Sequence, residues 1–131
     1  MRSKALVGLV FLVGILTLHA GTPNNEKEIK PDLAAKVRVA VERYVQRDEQ
    51  LKGAFFLRDP VDKAVRDLRF DHVHKGVEKT PDNLYTVCVD FLDQSKNRLD
   101  IDFYLRPTNT DDFQVSKIRI NKVKGVERKQ N

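Results

Sequence analysis

Leu84-Tyr85-Thr86-Val87-Cys88-Val89-Asp90-Phe91-Leu92 and, after a short polar connection, Arg98-Leu99-Asp100-Ile101-Asp102-Phe103-Tyr104-Leu105-Arg106 alternate apolar and polar side chains. Successive side chains on a strand point to opposite faces. Tyr85, Val87, Val89 and Phe91 therefore share one face, with Thr86, Cys88 and Asp90 opposite. In the second stretch Leu99, Ile101, Phe103 and Leu105 share a face, with Asp100, Asp102 and Tyr104 opposite. Both stretches read as half-buried strands of an antiparallel sheet. The echo of Val89-Asp90-Phe91-Leu92 in Ile101-Asp102-Phe103-Tyr104 marks two strands of that sheet, not a repeat unit.

Upstream, Thr80-Pro81-Asp82-Asn83 suits a type I turn, with Pro in its second position. Before it lie a longer strand over 65–79 and a short apolar one over 54–57, the latter closed by Asp59-Pro60. Downstream, Pro107-Thr108-Asn109-Thr110 turns the chain into a last strand over 113–123. There Phe113 and Val115 are in one phase and Ile118 and Ile120 in the other, so one extra residue is expected near Ser116-Lys117 as a β-bulge. In the strand over 65–79, Leu68 and Phe70 share a phase with His72 and His74, and Gly76 is a place for a second bulge.

A helix is expected over 32–50. Leu33, Val37, Val41, Tyr44 and Val45 recur at three- and four-residue spacing, while Lys36, Arg43, Gln46 and Arg47 cover the other side. Pro31 suits a helix start, Asp32 the positive end of the dipole, and Gly53 the stop. A small sheet cannot bury its apolar face alone, so the helix stripe is its cover. The expected fold is α+β: one N-terminal helix packed on a curled antiparallel meander of four to five strands. Its core should hold Val37, Val41, Tyr44, Phe70, Val87, Val89, Phe91, Ile101 and Phe103.

The chain has 131 residues, 24 basic against 19 acidic, for a formal charge of +5. Hydrophobic residues make up 40%, with one Cys and no Trp, which excludes a disulfide scaffold, a polytopic membrane protein and a wholly disordered chain. Residues 1–20 read as a signal peptide. Arg2 and Lys4 form the basic region, an apolar run over 5–18 follows, and Ala20 offers a small residue before cleavage. The run is too short for a membrane helix of about 20 residues. Cleavage removes Arg2 and Lys4 and no acidic residue, so much of the basic excess goes with the leader. The remaining charges alternate in sign, without the basic stripe of a nucleic-acid binder. The expected layout is a flexible leader over 21–31, a single domain over 32–126 and a charged, frayed tail over 127–131. The protein is expected to be secreted or periplasmic, with no stable membrane insertion after cleavage. Cys88, the lone cysteine, cannot close an intrachain disulfide, and burial of its thiol is expected.

The order helix, then meander, over residues 32–123, resembles the cystatin-like and NTF2-like α+β folds. That resemblance implies a sheet curled around the helix. It carries over no functional residues. Cystatins inhibit through a Gln-x-Val-x-Gly hairpin, and the nearest stretch here, His72-Val73-His74-Lys75-Gly76, lacks the Gln and the central Val.

Three groups of residues bear on chemistry. His72 and His74 share one side of a strand, a spacing that metal sites use, but a site needs three or four ligands. Asp71, Cys88 and Asp90 are the candidates, and ideal alternation turns all three to the opposite face. No metal site and no cofactor are therefore expected, the histidines flanking the core instead. Asp71, Asp90 and Asp102 should project from the outer face, alongside Arg69, Arg98 and Arg119, as cross-strand ion pairs in solvent. Cys88 with either histidine matches no cysteine-hydrolase signature, and no phosphate loop or metalloprotease motif is present. The expected function is a small exported binding module for an unknown protein or small molecule, with Arg69, Asp71, His72, His74, Asp90 and Asp102 as its candidate face. The alternatives are a small enzyme with a polar pocket in an NTF2-like cone and a metal-handling protein acting through His72 and His74.

Overall fold

The computed structural model describes residues 28–129. The stretch expected to be a signal peptide, most of the expected leader and the last two residues of the expected tail lie outside them. Helix α1 (Pro31–Lys52) is followed by β1 (Phe55–Arg58), β2 (Val65–Lys79), β3 (Tyr85–Asp93), β4 (Arg98–Pro107), β5 (Phe113–Val123) and β6 (Val126–Glu127). The strands form one antiparallel sheet in chain order. The α+β class holds. The sheet has one strand more than the upper expectation, because the chain folds back after β5 through Gly125, whose φ of 76° suits a residue without Cβ.

Helix α1 begins at Pro31, whose missing N–H leaves nothing unpaired in a first turn. It ends at Gly53, left-handed at φ 84°, whose N–H closes on the Glu49 carbonyl at 2.8 Å. The stripe Val37, Ala40, Val41 and Val45 is buried. It meets Phe55, Leu68, Val87, Val89, Phe91, Leu99, Ile101, Phe103 and Leu105, none more than 2% exposed. Each large side chain so buried contributes about 1.5–3 kcal/mol. Phe91 stacks on Phe55 and Phe103, with ring centroids 5.1 and 6.2 Å away. Two expected core residues are only partly buried. Tyr44 is 38% exposed and lays its ring edge-on against Phe55 and Phe103 at the rim. Phe70 packs against the core from its margin.

Surplus residues bend the sheet. On β5, Leu105 pairs with Val115 and Tyr104 with Lys117, leaving Ser116 over, as expected. Further along, Ile101 pairs with Ile120 and Asp100 with Lys122, leaving Asn121 over. On β2, Phe70 pairs with Phe91 and His72 with Asp90, so Asp71 has no partner. Two more residues are surplus between Val73 and Val77, around Gly76. Bulges increase local twist and bend a strand. The curl brings the two sheet edges together at one end. Arg128, just past β6, reaches Asp59, just past β1, at 2.7 Å. This residue, assigned to a frayed tail, is therefore tied down, and its N–H also donates to the Asn121 carbonyl at 2.8 Å. No helix among the described residues is long and apolar enough to cross a membrane.

Candidate functional site

The bulge at Asp71 decides where the histidines go. By strict alternation His72 and His74 would follow Leu68 and Phe70 toward the helix. One surplus residue reverses the phase, so both imidazoles emerge on the outer face beside Asp90. The expectation that Asp90 faces away from them is thereby overturned. The rings stack 5.3 Å apart at an interplanar angle of 10°. His74 Nε2 lies 2.8 Å from Asp90 Oδ1 and His72 Nε2 lies 3.5 Å from Asp90 Oδ2. His72 Nδ1 in turn lies 2.8 Å from Asp71 Oδ2. Freed from the ladder, Asp71 is exposed and positioned to orient its neighbour.

Asp90 was expected in solvent, yet its side chain is 1% exposed. The two imidazoles lie over it from β2, and Arg98 comes from β4. Arg98 Nε stands 3.1 Å from Asp90 Oδ2 and 3.0 Å from Asp100 Oδ1, bridging two carboxylates that face each other across the β3–β4 ladder. The better-directed bond goes to Asp100, and this hydrogen bond, with the charges of Asp90 and Asp100, raises the Arg98 pKa. Asp90 Oδ2 is left buried without an aligned hydrogen-bond donor among the described residues.

Along the same face, Asp102 accepts from Arg119 Nη2 at 3.0 Å. Arg119 and Lys117 also lie near the Tyr104 ring, 5.8 and 5.3 Å from its centroid. Arg119 Nε is buried and donates to no acceptor among the described residues. Asp102, Tyr104 and Arg119 line an open trough of about 550 Å³, together with Cys88, Glu78 and His74. Arg69 is exposed opposite Leu92, and no ion pair joins it to the other candidates among the described residues. The structure thus brings Asp71, His72, His74 and Asp90 together, sets Asp102 along the trough and leaves Arg69 apart. Asp100, which the candidate face omitted, belongs beside Asp90. Its register was readable from the two alternating strands, which place both carboxylates on one face.

Burial pushes the Cys88 thiol up to about 12, helped by the charges of Asp102, Asp100 and Asp90. A thiol in that environment stays protonated at neutral pH and is a poor nucleophile. A Cys88–histidine couple is thereby set aside. No family model, no curated protein and no solved structure matches the chain.

Proposed function

We propose that the protein is an exported binding module that takes a small polar ligand on the sheet face turned away from the helix. The trough of about 550 Å³ carries this reading. Its size suits a small-molecule site, for which volumes of about 300–1,000 Å³ are usual. The buried, unpaired Arg119 Nε is a donor already desolvated and waiting for an acceptor, such as a carboxylate or carbonyl oxygen. Glu78, also lining the trough, supplies an acceptor for a donor group on the ligand.

Binding is favoured over catalysis on two grounds. The space between helix and sheet, where an NTF2-like cone would put a polar pocket, is packed with Val, Leu and Phe side chains. The lone thiol is held protonated. Export rests on the charged and apolar pattern of residues 1–20, and protein recovered from its host should begin near Gly21.

The test of the trough is a ¹⁵N NMR titration of the protein with small carboxylates, amino acids and short peptides. A ligand should shift Cys88, Asp102, Tyr104 and Arg119, and Arg119→Ala should remove the response. Shifts confined to the turns at 80–84 and 107–112, or none with any probe, would reject the reading.

A further inference from the structure

We propose that His72, His74 and Asp90 form a site for a single divalent transition-metal ion, with Zn²⁺ as the reference metal. This inference does not depend on what fills the trough. It reverses the expectation drawn from ideal alternation, because the Asp71 bulge moves the imidazoles to the carboxylate's side.

The geometry is the first observation. One ligand atom from each of the three residues lies within 4.8 Å of the others. Zinc–nitrogen and zinc–oxygen bonds near 2.0–2.1 Å put donors of a tetrahedral site about 3.3 Å apart, so modest side-chain movement closes the set. Both histidines can move. Their side chains are 57% and 37% exposed, whereas Asp90 is fixed at 1%. Two imidazoles and one carboxylate leave a further coordination position toward solvent, the pattern of open rather than structural sites.

The second observation is Asp71. A histidine that binds metal through Nε2 typically donates its Nδ1–H to a carboxylate, which sets the tautomer and the ring direction. Asp71 occupies that place for His72 at 2.8 Å. With Nδ1 carrying the proton, the His72 Nε2 lone pair faces Asp90 Oδ2 at 3.5 Å, and that oxygen is itself buried without an aligned donor. Two acceptors turned toward each other call for a cation between them. His74 is the partner that must adjust. Its Nε2 lies 2.8 Å from the Asp90 Oδ1 carboxylate oxygen and donates to it in the described arrangement, so that nitrogen must give up its proton before it can take the metal.

Arg98 opposes the ion. Its guanidinium lies 3.1 Å from Asp90 Oδ2, but the side chain is 55% exposed and also holds Asp100. On binding it retreats to Asp100 alone. Its charge keeps the affinity in the micromolar range, and Arg98→Ala should tighten it.

The experiment is isothermal titration of the chelator-treated full chain with Zn²⁺ at neutral pH, paired with the visible spectrum of the Co²⁺ form. One ion per chain is expected, with a Co²⁺ band of four- or five-coordinate intensity. His72→Gln and His74→Gln should each weaken binding at least tenfold. Their thermal midpoints in chelator should match the parent, which shows that the fold is intact. Asp71→Asn should weaken it about tenfold, as loss of an outer carboxylate does elsewhere. Arg119→Ala, which touches only the trough, should leave the titration unchanged, so failure of one reading is separable from failure of the other. Absence of a one-to-one event in the parent, or a site that survives both histidine variants, overturns the proposal.

Discussion

Asp59 offers a sharp test of the curled sheet. Its carboxylate is fully buried, and it joins the β1–β2 turn to Arg128, just past β6 at the opposite edge of the sheet. Oδ1 accepts the Val61 N–H at 2.9 Å, within the β1–β2 turn. Oδ2 accepts Arg66 Nε and Nη2 at 3.2 and 2.8 Å, and Arg128 Nη2 at 2.7 Å. Asp59→Ala removes the buried carboxylate that both guanidinium groups bind, leaving the exposed Asp62 near them. Stranding a buried charge costs about 3–5 kcal/mol. Here Arg66 and Arg128 remain about a fifth exposed, and Asp62 stands 2.6 and 3.6 Å from them, so water and Asp62 recover part of the loss. The expected cost is therefore about 2–3 kcal/mol, a fall of about 10–20 °C in Tm for a domain of this size. Urea denaturation of the parent, Asp59→Ala, Arg128→Ala and the double variant forms a cycle, and a coupling of about 1 kcal/mol or more is expected. Burial works against the charged carboxylate, but the Val61 N–H, Arg66 and Arg128 outweigh it and hold its pKa below the ordinary value. The folded state thus keeps this group ionised where the unfolded chain takes up a proton. Its contribution is complete at neutral pH and is lost as pH falls below about 4 through the native pKa. A cost under about 0.5 kcal/mol, additive singles, or parallel acid unfolding of parent and variant would refute the clamp.

Phe103→Ala should cost about 3–5 kcal/mol, since the ring is fully buried between Phe55, Phe91 and Tyr44, while Asp102→Asn, which keeps an acceptor for Arg119, should cost about 1 kcal/mol; denaturation midpoints in the reverse order would mean that the sheet faces are misassigned. Alkylation of Cys88 at pH 8 should run about 30- to 60-fold slower in the folded protein than in the unfolded chain, because the thiolate fraction falls about a thousandfold while its greater basicity restores part of the reactivity. The same raised pKa means that the folded protein holds its proton where the unfolded chain has lost it, so this group's contribution is present below about pH 9 and declines from there toward 12; equal alkylation rates in the two states would disprove the environment assigned to the thiol.

What could be read from residues alone depended on apolar markers standing on both sides of each irregularity. Val87, Val89 and Phe91 mark β3, and Leu99, Ile101 and Phe103 mark β4, so both strands and their faces were legible. Ser116 was legible as a bulge because Phe113 and Val115 precede it and Ile118 and Ile120 follow in the opposite phase. The contact between Asp59 and Arg128 was not, because it exists only once six strands have curled enough to bring the outer two together. No local pattern encodes that sum.

The bulge at Asp71 lies between these cases. Leu68 and Phe70 mark one phase, and Val73 and Val77 mark the other, both valines resting against the core. The phase change was present in the apolar residues, but His72 and His74 continue the earlier phase and can be mistaken for core-flanking groups. Physical cost separates the alternatives. Turning two imidazoles toward a core of Val and Phe leaves their ring nitrogens without partners, at about 1–3 kcal/mol for each unsatisfied group. Accommodating one surplus residue avoids that cost, seats Val73 opposite Val89, and sets both rings over Asp90. The surplus residue is then the one free of ladder pairing, and it is a carboxylate beside the His72 ring. A single insertion thus accounts for the direction of both histidines, the burial of Asp90 beneath them and the orientation of His72, so the polar cluster follows from the same register that completes the apolar core.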